Sequence, residues 1–256
     1  MQTWKLTLAY DGRELCGWQA QPGVRTVQVE MEQALRRLFE GENIVVHGSG
    51  RTDSGVHALA QVASFRAERE RDPEKVRLAL NSMLPGDISC LKAELAPFEF
   101  HARYWATRKT YRYLMWEGDS RSPFWAGRAL KLRRRVDWQA YDAALAYYLG
   151  THDFTAFQGP PSDPPRPTLR TIERADRSLL DGPHGAVHAT TFEGPGFLRY
   201  QVRIMVGTAL EVGQGKRDIA TIPALLALAK ASSRDDAGKT APPEGLYLVD
   251  VRHRDA

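Results

Sequence analysis

Cysteine, asparagine and long apolar runs are all scarce in this chain of 256 residues. Its two cysteines, Cys16 and Cys90, stand far apart. That excludes a disulfide framework and a cysteine-based zinc site. No stretch approaches the roughly 18 consecutive apolar residues that a spanning helix needs, so no membrane segment is expected. The first residues, MQTWKLTLAYDG, alternate polar and apolar and lack the basic-then-apolar layout of a signal peptide, so none is expected. Asparagine occurs only at Asn43 and Asn81, and arginine far outnumbers lysine. Both traits fit a thermophile that avoids labile residues, or a GC-rich genome. These absences together predict a reduced, cytoplasmic, metal-free protein.

What is present is ordinary in bulk and uneven in detail. A composition 43% hydrophobic and 26% charged is that of a globular protein, and the length suits two domains. The net charge is only +4, but the cations are clustered. Arg128, Lys131, Arg133, Arg134 and Arg135 fall within eight residues. Arg103, Arg108, Lys109 and Arg112 are interleaved with Tyr104, Trp105, Tyr111 and Tyr113. Mixed cations and rings suit looped RNA, the cations meeting phosphate and the rings stacking on bases. Outward-facing cations on a solvated sheet are the alternative.

Hydrophobic periodicity predicts strands at Thr3–Tyr10, Asn43–His47, 58–66, 88–95, 106–116, 170–180, 186–193 and Leu246–Val251. Helices are expected at about 27–40, from Pro73 behind an Asp72 cap to Met83, behind an Asp137 cap to Leu149, from Gly194-Pro195-Gly196 to Val212, and at about 219–231. Strand pairs alternating with helices favour α+β with antiparallel sheet. The order strand, helix, strand, strand, helix, strand in the first hundred residues is ferredoxin-like, and a boundary near 105 divides the chain into domains 1–105 and 106–256.

The stretch GSGRTDSGVHA, residues 48–58, is the most informative. Three glycines and small hydroxyls surround one carboxylate. The loop lacks the Gly-Lys-Ser/Thr ending of a P-loop and the spacing of a dinucleotide fingerprint. What remains is Asp53 on a tight turn beside Arg51, whose positive charge favours the ionised carboxylate. Such a group serves as nucleophile or base. On spacing alone, an Asp–Arg pair that merely stiffens the turn is the slightly favoured reading.

GRTDSGVHALAQVASF resembles the signature of the tRNA pseudouridine synthases that modify the anticodon arm. The resemblance continues in order through Asn81 to Ile88, Phe100-His101-Ala102-Arg103 with ATRKTYRY, GTHDFTAF at 150–157, Phe197 to Gly213, and Ala241-Pro242 with Gly245 to Leu248. Two departures stand out. Pro165-Arg166-Pro167-Thr168-Leu169-Arg170 inverts the family's Thr-Pro, and Arg199-Tyr200 stand where histidines are common.

The resemblance implies an isomerase that converts uridine to pseudouridine at positions 38, 39 and 40 of tRNA, without metal or cofactor. Asp53 matches the catalytic aspartate. Attack on the sugar, attack on the base and removal of a sugar proton all remain open for it. Tyr111 matches the tyrosine that stacks on the target uracil, and Arg203 the arginine that pairs with the aspartate. Arg51 matches an arginine that props the gap left by the flipped base. The implied architecture is two ferredoxin-like domains joined in one continuous antiparallel sheet, with helices on one side and the active cleft between the domains. A homodimer is implied, and the 128–135 cluster becomes a candidate tRNA phosphate contact. A non-catalytic tRNA-binding protein of the same fold is the competing reading. Ester hydrolysis through Asp53 would call for metal ligands, and His152-Asp153 alone does not supply them.

Overall fold

The computed structural model describes residues 1–118, 122–160, 167–228 and 233–254. In chain order the elements are β1 (Gln2–Tyr10), α1 (Val27–Leu38), β2 (His47–Gly48), β3 (His57–Ala67), α2 (Pro73–Met83), β4 (Ile88–Ala96), β5 (Ala106–Glu117), β6 (Leu130–Lys131), α3 (Trp138–Ala146), β7 (Gly150–Asp153), β8 (Leu169–Ile172), β9 (Arg174–Leu180), β10 (Ala186–Gly194), α4 (Gln201–Gly213), α5 (Thr221–Leu228) and β11 (Leu246–His253). The class is α+β with mostly antiparallel pairing. Among the described residues no helix is long and apolar enough to cross a membrane.

The chain divides into two compact units, Met1–Lys109 with Tyr247–Ala256, and Thr110–Leu246. The last strand, expected in the second domain, is thus grouped with the first unit. The reason is its pairing: β11 runs parallel to β3, with Tyr247 opposite His57 and Leu248 opposite Ala58.

In the first unit the strand order is β4-β1-β3-β11. The period-two pattern of β1 buries Trp4, Leu6, Leu8 and Tyr10. Trp4 stacks on Phe65 of β3 at 5.8 Å and meets Phe39, just past α1, edge-on at 6.0 Å. α1 starts at a Thr26 cap whose hydroxyl accepts from the Val29 N–H, and it buries Val27, Met31 and Leu35. α2 begins as expected, with the Asp72 carboxylate accepting from the Lys75 N–H and Pro73 in the first turn. The strand expected over Asn43–His47 shrinks to the two-residue β2. The Val46 N–H goes to the Glu32 carboxylate and the Ile44 N–H to the Glu42 carbonyl, so neither donates to a ladder.

The second unit has β5-β10-β9, with β6 parallel to β5, and a separate antiparallel ladder of β7 with β8. The strand expected over 170–180 is broken at Glu173, whose N–H bonds the Glu193 carbonyl; β8 then pairs with β7 and β9 with β10. α3 has its Asp137 cap, accepting from Gln139 and Ala140, but ends at Ala146. α4 is apolar on nearly every face and correspondingly buried. It starts at Gln201 and not at Gly196, because Tyr200 takes the left-handed conformation (φ 62°). Of the helix expected to 231, the part beyond Leu228 lies outside the described residues. So do Pro165 and Arg166 of the proline-rich loop.

Candidate functional site

Asp53 sits half-buried in the loop between β2 and β3, and the loop is held by backbone and side-chain bonds together. The Ser49 N–H donates to the Val62 carbonyl at 2.8 Å, the Trp18 N–H to the Thr52 carbonyl at 3.1 Å, the Val56 N–H to the Asp53 carbonyl at 3.2 Å and the Gly55 N–H to the Leu15 carbonyl at 3.2 Å. Residues 12–18 press so closely on this loop that only glycine fits at their contact points. A Cβ on Gly17, which also has φ 83°, would lie 2.6 Å from the Thr52 oxygen, and one on Gly12 would collide with the Val56 carbonyl. A Cβ on Gly48 would collide with the ring of Trp18.

Beneath the loop runs a buried polar chain. The Ser49 hydroxyl donates to the Gln61 Oε1 at 2.6 Å, and the Gln61 Nε2 donates to the Gly50 carbonyl at 3.0 Å. The Tyr10 hydroxyl lies 2.8 Å from the Thr52 hydroxyl. Burial pushes the Tyr10 phenol up to about 12, against the opposing effect of its bonds to Thr52 and Gln61, so it stays protonated at neutral pH. At the loop's exit His57 is buried, stacks on Tyr247 at 4.5 Å and accepts the Gly12 N–H on Nδ1 at 3.1 Å. Arg51 is exposed, while the Lys109 ammonium lies over Gly50, 3.2 Å from where a Cβ would stand.

The other predicted site residues belong to the second unit. Tyr111, on β5, is only 8% exposed, and Phe197 meets its ring edge-on at 5.1 Å. Arg203, in the first turn of α4, is half-buried. Its Nε donates to the Ala241 carbonyl at 2.8 Å, and its guanidinium lies 5.0 Å over the ring of Tyr200. One short segment, 197–200, therefore supports both Tyr111 and Arg203. Tyr200 can fill this place only by adopting positive φ, an unusual conformation for a large side chain.

The family model described as tRNA pseudouridine synthase matches residues 7–105 and 144–254. This chain belongs to that family. It is 42% identical over 98% of its length to the tRNA pseudouridine synthase A of Maridesulfovibrio salexigens, covering 90% of that protein. It is also 39% identical to the enzyme of that name from Streptococcus pneumoniae, with each chain fully covered. Its identity to the one from Citrifermentans bemidjiense is 40%, over 100% of this chain and 99% of that protein.

For this member of the pseudouridine synthases, the remaining expected residues divide. Of the basic cluster, Arg133, Arg134 and Arg135 are exposed. Lys131 instead lies 5.1 Å over the Trp116 ring, and Arg128 is half-buried. The pair His152-Asp153 holds local structure: the His152 Nε2 bonds the Leu149 carbonyl, and the Asp153 carboxylate accepts from the Thr155 N–H and hydroxyl. Among the described residues no three of His, Cys, Asp or Glu gather as metal ligands would. Cys90 is buried, whereas Cys16 is only half-buried. Sequence reading missed the supporting pieces: Gly12, Gly17 and Trp18 around the loop, and Phe197 and Tyr200 under the tyrosine and arginine. The available signal was glycine at 12 and 17 flanking a second short loop.

Proposed function

We propose that the chain isomerises uridine to pseudouridine at positions 38, 39 and 40 in the anticodon stem-loop of tRNA, with Asp53 as the catalytic carboxylate. The N1–C1′ bond breaks, the base turns and a C5–C1′ bond forms. The C5 proton leaves to solvent and N1 gains one, so no redox partner enters. The observation that carries the reading is the clamped loop. Four backbone hydrogen bonds and two glycine contacts fix the main chain around one half-buried carboxylate. Such preorganisation serves a reacting group and has no use in a passive RNA binder.

In this reading Tyr111 stacks on the flipped uracil, a base removed from its stack needing a flat partner. Arg203 pairs with Asp53 and keeps it ionised, and Arg51 props the vacated space in the RNA. These groups meet in a cleft between two ferredoxin-like domains whose strands form one antiparallel sheet. A homodimer in the cytoplasm grips the tRNA, and the exposed Arg133–Arg135 with Arg128 and Lys131 meet its phosphates. The family membership and the shared support of Tyr111 and Arg203 favour this arrangement.

The test is tritium release from tRNA labelled at uridine C5. The native protein should release tritium and Asp53→Asn should not, while keeping its fold and its affinity for tRNA. Release by the variant at the native rate would remove Asp53 from the reaction. A native protein that binds tRNA yet releases nothing would select the non-catalytic reading.

A further inference from the structure

One group of rings and cations in the first unit has no part in the reaction just proposed. It lies around residues 98–105, between β4 and β5, beside a groove of ≈ 500 Å³ bordered by His47, Ser64, Arg66, Phe100 and His101. The His47 and His101 rings stack at 4.8 Å, and His101 meets Tyr104 at 4.3 Å. Tyr104 is 74% exposed and Phe98 52% exposed. The four Phe, Tyr and Trp rings of the segment each carry a cation: Arg66 lies 4.4 Å over Phe98, Lys5 5.9 Å over Phe100, Arg103 5.9 Å over Tyr104 and Arg254 4.4 Å over Trp105.

From this arrangement we infer that the His47–His101–Tyr104 cluster is a second RNA-binding subsite, taking an unpaired base of the bound tRNA against the exposed ring of Tyr104 and the adjoining phosphates on Arg66 and Arg103. Three features favour a nucleotide. A row of rings, His47 stacked on His101 and Tyr104 tilted against it, ends in an exposed ring on which a base can stack. Paired cations and rings match phosphate and base together. Burial, then the charges of His47, Arg103 and Arg66, lower the His101 pKa, so its ring is neutral and flat at pH 7. Glu42, which also borders the groove, is occupied by the N–H groups of Glu68 and Arg69. Glu68 is exposed at the rim and opposes an anion there.

The subsite adjoins the start of the Asp53 loop through His47, but lies far from the loop's exit along β3. Ser64, at the groove, is seven residues along β3 from His57, which closes that loop. An extended strand of that length spans roughly 20 Å. A stem-loop whose target base is at Asp53 can therefore reach the stack with another nucleotide. The inference rests on the tRNA reading and adds to it a contact that sets affinity.

Binding of unmodified tRNA is measured by fluorescence anisotropy, and turnover by tritium release, for the native protein, Tyr104→Ala and Tyr104→Phe. Tyr104→Ala should raise Kd and KM about tenfold, since losing one stacked base costs that much or more, while kcat at saturating tRNA holds. Tyr104→Phe, which keeps the ring, should bind within twofold of native. Arg66→Ala should lower the slope of log Kd against log salt by about one. An unchanged Kd for Tyr104→Ala, or a Phe variant as weak as the Ala variant, would overturn the inference. Exposed Tyr104 makes misfolding a checkable alternative through Tm. A native protein lacking isomerase activity whose tRNA affinity still depends on Tyr104 would remove the catalytic reading and leave the subsite standing.

Discussion

The two halves of the candidate site are built by different means. Around Asp53 the main chain itself is pinned, by backbone hydrogen bonds and by glycines at positions where any side chain collides with backbone, with the Ser49, Thr52 and Gln61 side chains bonding beneath it. Around Tyr111 and Arg203 the fixing is done by side chains: Phe197 against the tyrosine, Tyr200 under the arginine and one bond from Nε to a carbonyl. A backbone clamp sets position steeply, because a carbonyl oxygen cannot move without its whole loop. A side-chain platform sets position in graded fashion, because rings and long side chains repack. In the proposed reaction the carboxylate, which acts at one point, has the first kind of support, and the groups proposed to follow the turning base have the second.

Gly12→Ala tests the backbone half and has the larger expected effect. Its Cβ would collide with the Val56 carbonyl oxygen, three residues past Asp53. Overpacking against an immobile group costs about 3 kcal/mol. The urea midpoint should fall accordingly, and tritium release should fall with it even where the protein is fully folded, because the displaced Val56 carries the loop. A Gly12→Ala protein with native midpoint and native turnover would mean that the loop is soft and that the contrast between the halves is wrong.

Arg203→Lys probes the other half and should separate stability from activity. Lysine keeps the charge but loses the Nε donor to Ala241 and the planar group over Tyr200. One hydrogen bond and one exposed cation–ring contact come to about 1–2 kcal/mol in all. Turnover should drop by at least tenfold, since the pairing with Asp53 proposed above depends on the direction of the guanidinium. Equal losses in stability and in rate would place Arg203 in the fold alone.

How much of this was legible in the sequence follows the same division. β1, α1, α2 and β4 carry their own periodicity and caps, so Trp4 to Tyr10 and Asp72-Pro73 announced them. The Asp53 loop was legible because its glycines and hydroxyls have no helical or strand period to hide in. The failures occurred where tertiary bonds overrode local pattern. Ile44 and Val46 alternate as a strand would, but the Glu32 carboxylate takes the Val46 N–H. Gly194-Pro195-Gly196 looked like a helix start, but the turn is delayed to the strained Tyr200, whose ring packs against Gly159. The partners of residues 12–18 were invisible for the same reason: a close approach between two loops leaves only glycines in a sequence, and glycines have many causes.

The smallest effect expected concerns acid stability of the clamp, through Asp11 at its edge. Burial alone would raise this carboxyl. The side-chain and backbone donors of Arg13, with the nearby His57, outweigh it and bring the group from 3.8 down to about 2. Arg13 holds the carboxylate through paired bonds of 2.9 and 2.7 Å. A folded-state value below the unfolded one contributes stability that is complete above about pH 4 and is lost as pH falls through 2. The stability difference between the native protein and Asp11→Asn should therefore stay constant from pH 7 to 5 and close between 4 and 2. The pair is well exposed, so the difference should be small. Acid titration of urea midpoints for the two proteins measures it. A gap that persists at pH 2 would assign the role of Asp11 to its hydrogen-bonding shape, which asparagine shares only in part, and would add it to the side chains that already bond beneath the loop.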